Sequence, residues 1–169
     1  MSVSSDSQRF NELIEVHLDA AYNLARWLTR NPHDAEDLVQ ESALRAWKAF
    51  SGFRGGSARA WFLTIVRNTC YTFLKDRRRP GQRFDEFDES LHTPTQDVPQ
   101  PELALLRNAD AARLREALEA LPVEFRETIV LRELEGLSYK EIAEVAGVPI
   151  GTVMSRLARG RQQLQQKLS

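Results

Sequence analysis

The stretch VPIGTVMSRLARGRQQLQQKL, residues 148–168, holds Thr152, Ser155, Arg156 and Arg159, and from Val145 onward the chain has no Asp or Glu. An arginine guanidinium donates two parallel hydrogen bonds to a guanine edge, and serine or threonine hydroxyls reach bases or phosphates. Carboxylates on the same surface would repel the phosphate backbone, so their absence matters as much as the arginines. At about 100° per residue, Ile150, Val153, Leu157, Gly160, Leu164 and Leu168 share one helix face. Thr152, Ser155, Arg159, Gln162 and Gln166 lie opposite, with Arg156 on the flank. The first face packs the helix on its own domain, and the second is offered to a duplex. Arg161 projects close to the apolar face, where it brackets the core or reaches a phosphate.

A helix that reads DNA must be held by others. Ser138 and Glu141 have the S-x-x-E spacing of a capping box, and Leu137 and Ile142 occupy the two positions of a hydrophobic staple. A short helix from Tyr139 to Ala146 comes next, and Gly147 turns the chain. Helix, tight glycine-containing turn, helix is the helix-turn-helix pattern, in which N-terminal residues of the second helix enter the major groove. Upstream, one helix carries Leu103, Leu106, Leu114, Ala117, Leu118 and Leu121. Pro122 starts the next, with Phe125, Ile129, Val130 and Leu134 inside and Gly136 just past its end.

The N-terminal half is also helical in its periodicity. Phe10, Leu13, Ile14, Leu18, Ala21, Leu24, Ala25 and Leu28 recur at helical spacing. Asn31 suits a cap, Pro32 the first helical position, and Asp34 the positive end of the helix dipole. This second helix is expected to run to about Phe50, burying Ala35, Leu38, Val39, Ala43 and Ala46. After a glycine-containing loop, Ser57 caps a third helix through Trp61, Phe62, Ile65, Val66 and Phe73.

Charge is blocked along the chain. From Arg67 to Arg83 the basic residues are Arg67, Lys75, Arg77, Arg78, Arg79 and Arg83, against Asp76 alone. FDEFDESLHTPTQDVPQPE then holds acids and prolines with no Lys or Arg, the composition of a linker. The expected class is therefore all-α: two small helical domains, residues 9–80 and 102–169, joined by a flexible acidic linker, 81–101. The 169 residues carry a net charge of −1, so nucleic-acid binding would rest on how charge is distributed rather than on its total. One cysteine, Cys70, excludes an internal disulfide framework and a cysteine cluster for zinc. His17, His33 and His92 lack metal-ligand spacing. With no phosphate loop or nucleophile elbow, no enzyme, metal or cofactor is expected. No apolar run is long enough to cross a membrane, and the N-terminus lacks a secretory pattern, so the expected location is cytoplasmic.

ALPVEFRETIVLRELEGLSYKEIAEVAGVPIGTVMSRLARGRQQL resembles domain four of the sigma factors of bacterial RNA polymerase. DAEDLVQESALRAWKAF followed by FRGGSARAWFLTIVRNTCYTFLKDRRR resembles domain two. In this order, joined by a short acidic linker, they resemble an extracytoplasmic-function (ECF, group IV) sigma factor. The resemblance implies that Asp34, Asp37, Leu38, Gln40 and Glu41 bind the clamp helices of the polymerase core, with a packing role equally open for Leu38. It implies that Arg54, Trp61, Asn68, Tyr71 and Lys75 recognise and open the promoter −10 element, while Arg77, Arg78 and Arg79 track phosphates. Core packing is as compatible with Trp61 and Tyr71. The helix-turn-helix would read the −35 element through Thr152, Ser155, Arg156 and Arg159, although Met154 stands where an arginine is frequent and Ala158 where a larger side chain is frequent. The linker would thread the polymerase channel or serve as a tether, and an anti-sigma factor would clamp the two domains. Two other readings remain open on the residues alone. A helix-turn-helix regulator working without polymerase leaves the DAEDLVQE block unexplained, and a helical adaptor leaves the acid-free face unexplained.

Overall fold

The structure, a computed structural model, describes residues 3–77 and 110–169. The linker 81–101, Arg78, Arg79, Leu103 and Leu106 lie outside the described residues. Among the described residues there is no strand. The chain divides into two compact units, one built mainly from the helices up to Arg77 and the other mainly from those beyond Asp110.

In the first unit, α1 (Val3–Ile14) and α2 (Leu18–Thr29) are separated by a 3₁₀ turn at Glu15–His17. The periodicity from Phe10 to Leu28 predicted no such break. A 3₁₀ turn advances the chain faster than an α-helix, by about 120° per residue, and so shifts the phase of the next helix. Leu18, expected inside, is accordingly 37% exposed, whereas Ala21, Leu24, Ala25 and Leu28 are buried.

Helix α3 (Pro32–Ala49) starts as expected: Asp34 N–H donates to Asn31 Oδ1 at 3.0 Å. It buries Ala35, Leu38 and Ala46, and Ser42 takes an inward position in place of Val39 and Ala43. That hydroxyl is satisfied by donating to Leu38 O at 2.6 Å. Helix α4 (Ala58–Asp76) is capped by Ser57, whose Oγ accepts from Ala60 N–H at 3.0 Å. Phe62, Leu63 and Val66 complete a core with Leu24 and Leu28. Each such side chain contributes about 1.5–3 kcal/mol by leaving water.

The second unit opens with α5 (Ala111–Glu119), capped by Asp110, whose Oδ1 accepts from Ala112 N–H at 3.2 Å. Pro122 is the cap residue of α6 (Val123–Ile129), one position before its expected place. Arg126, nearly fully buried, donates from Nη1 to the carbonyls of Glu119 at 3.1 Å and Leu121 at 2.9 Å. A cation at the last carbonyls of α5 satisfies groups the helix cannot.

Helix α6 continues as a π-helical stretch, Val130–Leu134. The widened turn rotates Leu134 outward to 52% exposed, against its expected burial. Both bonds of the Ser138/Glu141 capping box form at the start of α7 (Tyr139–Ala146), at 3.1 Å each. Leu137 and Ile142 are fully buried beside it. Gly147 ends α7 with φ +69°, a left-handed conformation that glycine adopts without steric cost. Helix α8 (Ile150–Leu168) begins after Val148 and Pro149.

Candidate nucleic-acid interface

Helix α8 is anchored by Val153, Leu157, Gly160, Leu164 and Leu168, all buried. Its sixth expected anchor, Ile150, is instead 45% exposed in the first turn. Thr152, Ser155 and Arg159 are half-buried on the polar side. Arg156 is 9% exposed, a correction to its expected place among the freely offered residues. It precedes Leu157 and borders the apolar face, and the burial reaches its guanidinium, whose Nη1 is covered. Arg161 takes the bracketing placement: its Nη2 lies 2.5 Å from Glu133 Oε1, tying α8 to the π-helical stretch. Met154, 44% exposed, and Gly151 complete the open surface of the first turns.

On α4, Trp61, Asn68, Tyr71 and Lys75 fall within roughly 80° of one another at about 100° per residue. Asn68 and Lys75 are exposed, while Trp61 and Tyr71 are half-buried. Trp61 packs its ring against Phe53 (centroids 5.1 Å) and Phe50 (6.3 Å), so part of it belongs to an aromatic cluster. The Arg67 guanidinium sits 3.7 Å from the centroid of Tyr71, and Arg67 Nη1 donates to Asn68 Oδ1 at 3.5 Å. Arg54 is exposed in the loop before α4, and Arg77 is exposed at its end. Beside this loop opens a pocket of about 500 Å³ lined by Arg9, Trp47, Lys48, Phe50 and Phe53 among others.

The DAEDLVQE residues separate by face. Asp37, Gln40 and Glu41 are exposed, and Asp34 is half-buried with its Oδ2 3.8 Å from Arg77 Nη1. Leu38 is 5% exposed and packs in the core. The most exposed apolar position on the outer face is Leu44, 63% exposed, one turn beyond Gln40 and Glu41, and Trp47 on the same helix is 37% exposed. Sequence reading passed over Leu44, yet its signal was present: at about 100° per residue Leu44 lies half a turn from Ala35. Arg45, next to it, is held by Glu41 at 2.9 Å.

Comparison with known proteins extends this picture. Residues 13–80 match the Sigma-70 region 2 family and residues 111–164 the Sigma-70 region 4 family. The ECF sigma-E factor of Haemophilus influenzae is 35% identical, over 96% of this chain and 89% of its own length. The chain belongs to the ECF sigma factors of RNA polymerase. The ECF sigma factor SigE of Mycolicibacterium smegmatis is 40% identical over 95% of this sigma factor, which spans 62% of that relative's length. In structure, this sigma factor is similar to the sigma factor RpoE of Bartonella quintana, solved in complex with the anti-sigma factor NepR. The TM-score is 0.73 and the identity 32%, covering 95% of this chain and 97% of that one. It is also similar to CnrH, solved with the cytosolic domain of CnrY, at TM-score 0.67 and 28% identity over 96% and 89%. No described helix is long and apolar enough to cross a membrane.

Proposed function

We propose that this sigma factor binds core RNA polymerase through the outer face of α3, opens the −10 element with α4 and its preceding loop, and reads the −35 element with α8. The working domains are residues 9–80 and 102–169, with 81–101 as the linker. The observation that carries the proposal is one chain holding both an acid-free helix-turn-helix and a separate unit with an exposed mixed face on α3. A regulator acting without polymerase has no use for Asp37, Gln40, Glu41 and Leu44 on that face. A mixed surface of this kind suits a protein partner with basic and apolar groups, and we assign it to the clamp helices of the core. The pocket beside the α4 loop, where the rings of Trp47, Phe50 and Phe53 meet Arg9 and Lys48 with Asp6 and Ser51, offers ring faces and polar groups to hold an extruded base. We assign an anti-sigma factor as the controlling partner and the cytoplasm as the location, and no catalytic residue.

The test is run-off transcription with purified core polymerase from genomic promoter fragments. Selective transcripts that require this protein are expected, and their absence from every fragment defeats the proposal. Within α8 we assign base reading to Arg159, which is half-buried on the polar side. Arg159→Ala is expected to cost about 1–3 kcal/mol at one base pair of the element and to relax discrimination there. A loss equal across all promoters, seen only as an altered salt dependence in competition binding, would reassign Arg159 to a phosphate.

A further inference from the structure

Two large apolar side chains stand open on the first turns of α8: Ile150, 45% exposed, and Met154, 44% exposed. They are four residues apart and therefore neighbours on the helix surface. Between them Gly151 is exposed, and a Cβ there would meet no atom within 4 Å. Single exposed hydrophobic residues on a protein surface are ordinary. This pair differs because it occupies the end of the helix that would enter a major groove, on a stretch free of carboxylates, while Arg156 nearby is covered.

A thioether cannot donate to guanine, and a methionine gives a base edge only soft apolar contact. In the major groove one base group answers to that contact, the C5-methyl of thymine. We infer that Met154 is a specificity-determining residue that packs on a thymine methyl in the −35 element. At that base pair the protein selects A·T by apolar contact where an arginine would select guanine. The inference rests on α8 reading the −35 element, as proposed above. Ile150, at the mouth of the groove, extends the same apolar surface. Gly151 lets the backbone approach without a side chain in the way.

The experiment uses the holoenzyme and a promoter it transcribes, with each thymine of the −35 element replaced in turn by uracil, which lacks only the methyl. One position is expected to lose about fourfold in holoenzyme affinity, the effect of one buried methyl group. Met154→Ala, an exposed substitution in a helix that tolerates alanine, is expected to lose that uracil sensitivity. Its discrimination at the other base pairs is expected to remain. Met154→Arg is expected to shift preference at the same pair from A·T toward G·C by about tenfold. Element-dependent transcription that is indifferent to uracil at every thymine overturns the methyl contact and leaves the proposed function standing. The same uracil penalty in Met154→Ala overturns it too. Transcription independent of the whole element overturns both.

Discussion

Leu44→Asp is expected to lower affinity for core polymerase on the order of 100-fold, and with it promoter-dependent transcription, while the protein stays folded. Leu44 is 63% exposed at the centre of a polar face whose neighbours Asp37, Gln40 and Glu41 are exposed as well. Interfaces concentrate their energy in such an apolar centre ringed by polar groups. Covering a leucine contributes about 1.5–3 kcal/mol, and aspartate would both remove that and bring an unpaired carboxylate into the contact. No part of the first unit's core rests on this side chain, so the thermal midpoint followed by circular dichroism should hardly move. Leu38→Ala supplies the contrast. Leu38 is buried on the same helix, and its truncation is expected to cost about 2–5 kcal/mol of stability. Fluorescence titration of labelled protein with core separates the two. Wild-type affinity in Leu44→Asp would remove α3 from the polymerase interface.

Much of the fold was legible because it depends on local chemistry. Asn31, Ser57 and the Ser138/Glu141 pair announce helix starts through side-chain oxygens that accept backbone N–H bonds, and those bonds form. Gly147 announces a turn because its backbone is left-handed there. The features that stayed hidden depend on changes of helical phase. The 3₁₀ turn at Glu15–His17 exposes Leu18, and the π-helical stretch at Val130–Leu134 exposes Leu134; neither carries a proline or glycine to mark it. The candidate sites divide in the same way. Residue types located the acid-free helix and the acidic face of α3. Only burial separated Leu38 from Leu44, and Arg156 from Thr152, Ser155 and Arg159, because a wheel assigns direction but not the atoms that cover a long side chain.

The second large effect is expected at Gly160, where sequence and packing meet most tightly. A Cβ at Gly160 would lie 2.9 Å from Ile129 Cδ1 and 3.3 Å from Phe125 Cβ, so a side chain there fits only if those two residues shift. Phe125 and Ile129 are themselves buried, at 0% and 1% exposure, and have little room to yield. Gly160→Ala sets two opposed effects against each other. Alanine gains about 1 kcal/mol in helix propensity, while overpacking costs about 1–3 kcal/mol, so a net change between zero and a small loss is expected. Gly160→Leu drives three further carbons into the same gap and is expected to cost about 3 kcal/mol or more. A unit this small has little stability in reserve, so that loss should unfold a measurable fraction of it. Urea unfolding followed by far-ultraviolet circular dichroism should show a lowered midpoint for the leucine variant and a near-normal one for alanine. An unchanged midpoint in Gly160→Leu would mean that the α6–α8 crossing has slack. The effect is expected to reach the proposed −35 reading as well, because Gly160 shares the buried face of α8 with Val153 and Leu157. The half-exposed Thr152, Ser155 and Arg159 keep their direction only while that face stays packed, so the leucine variant should lose −35 discrimination along with its stability.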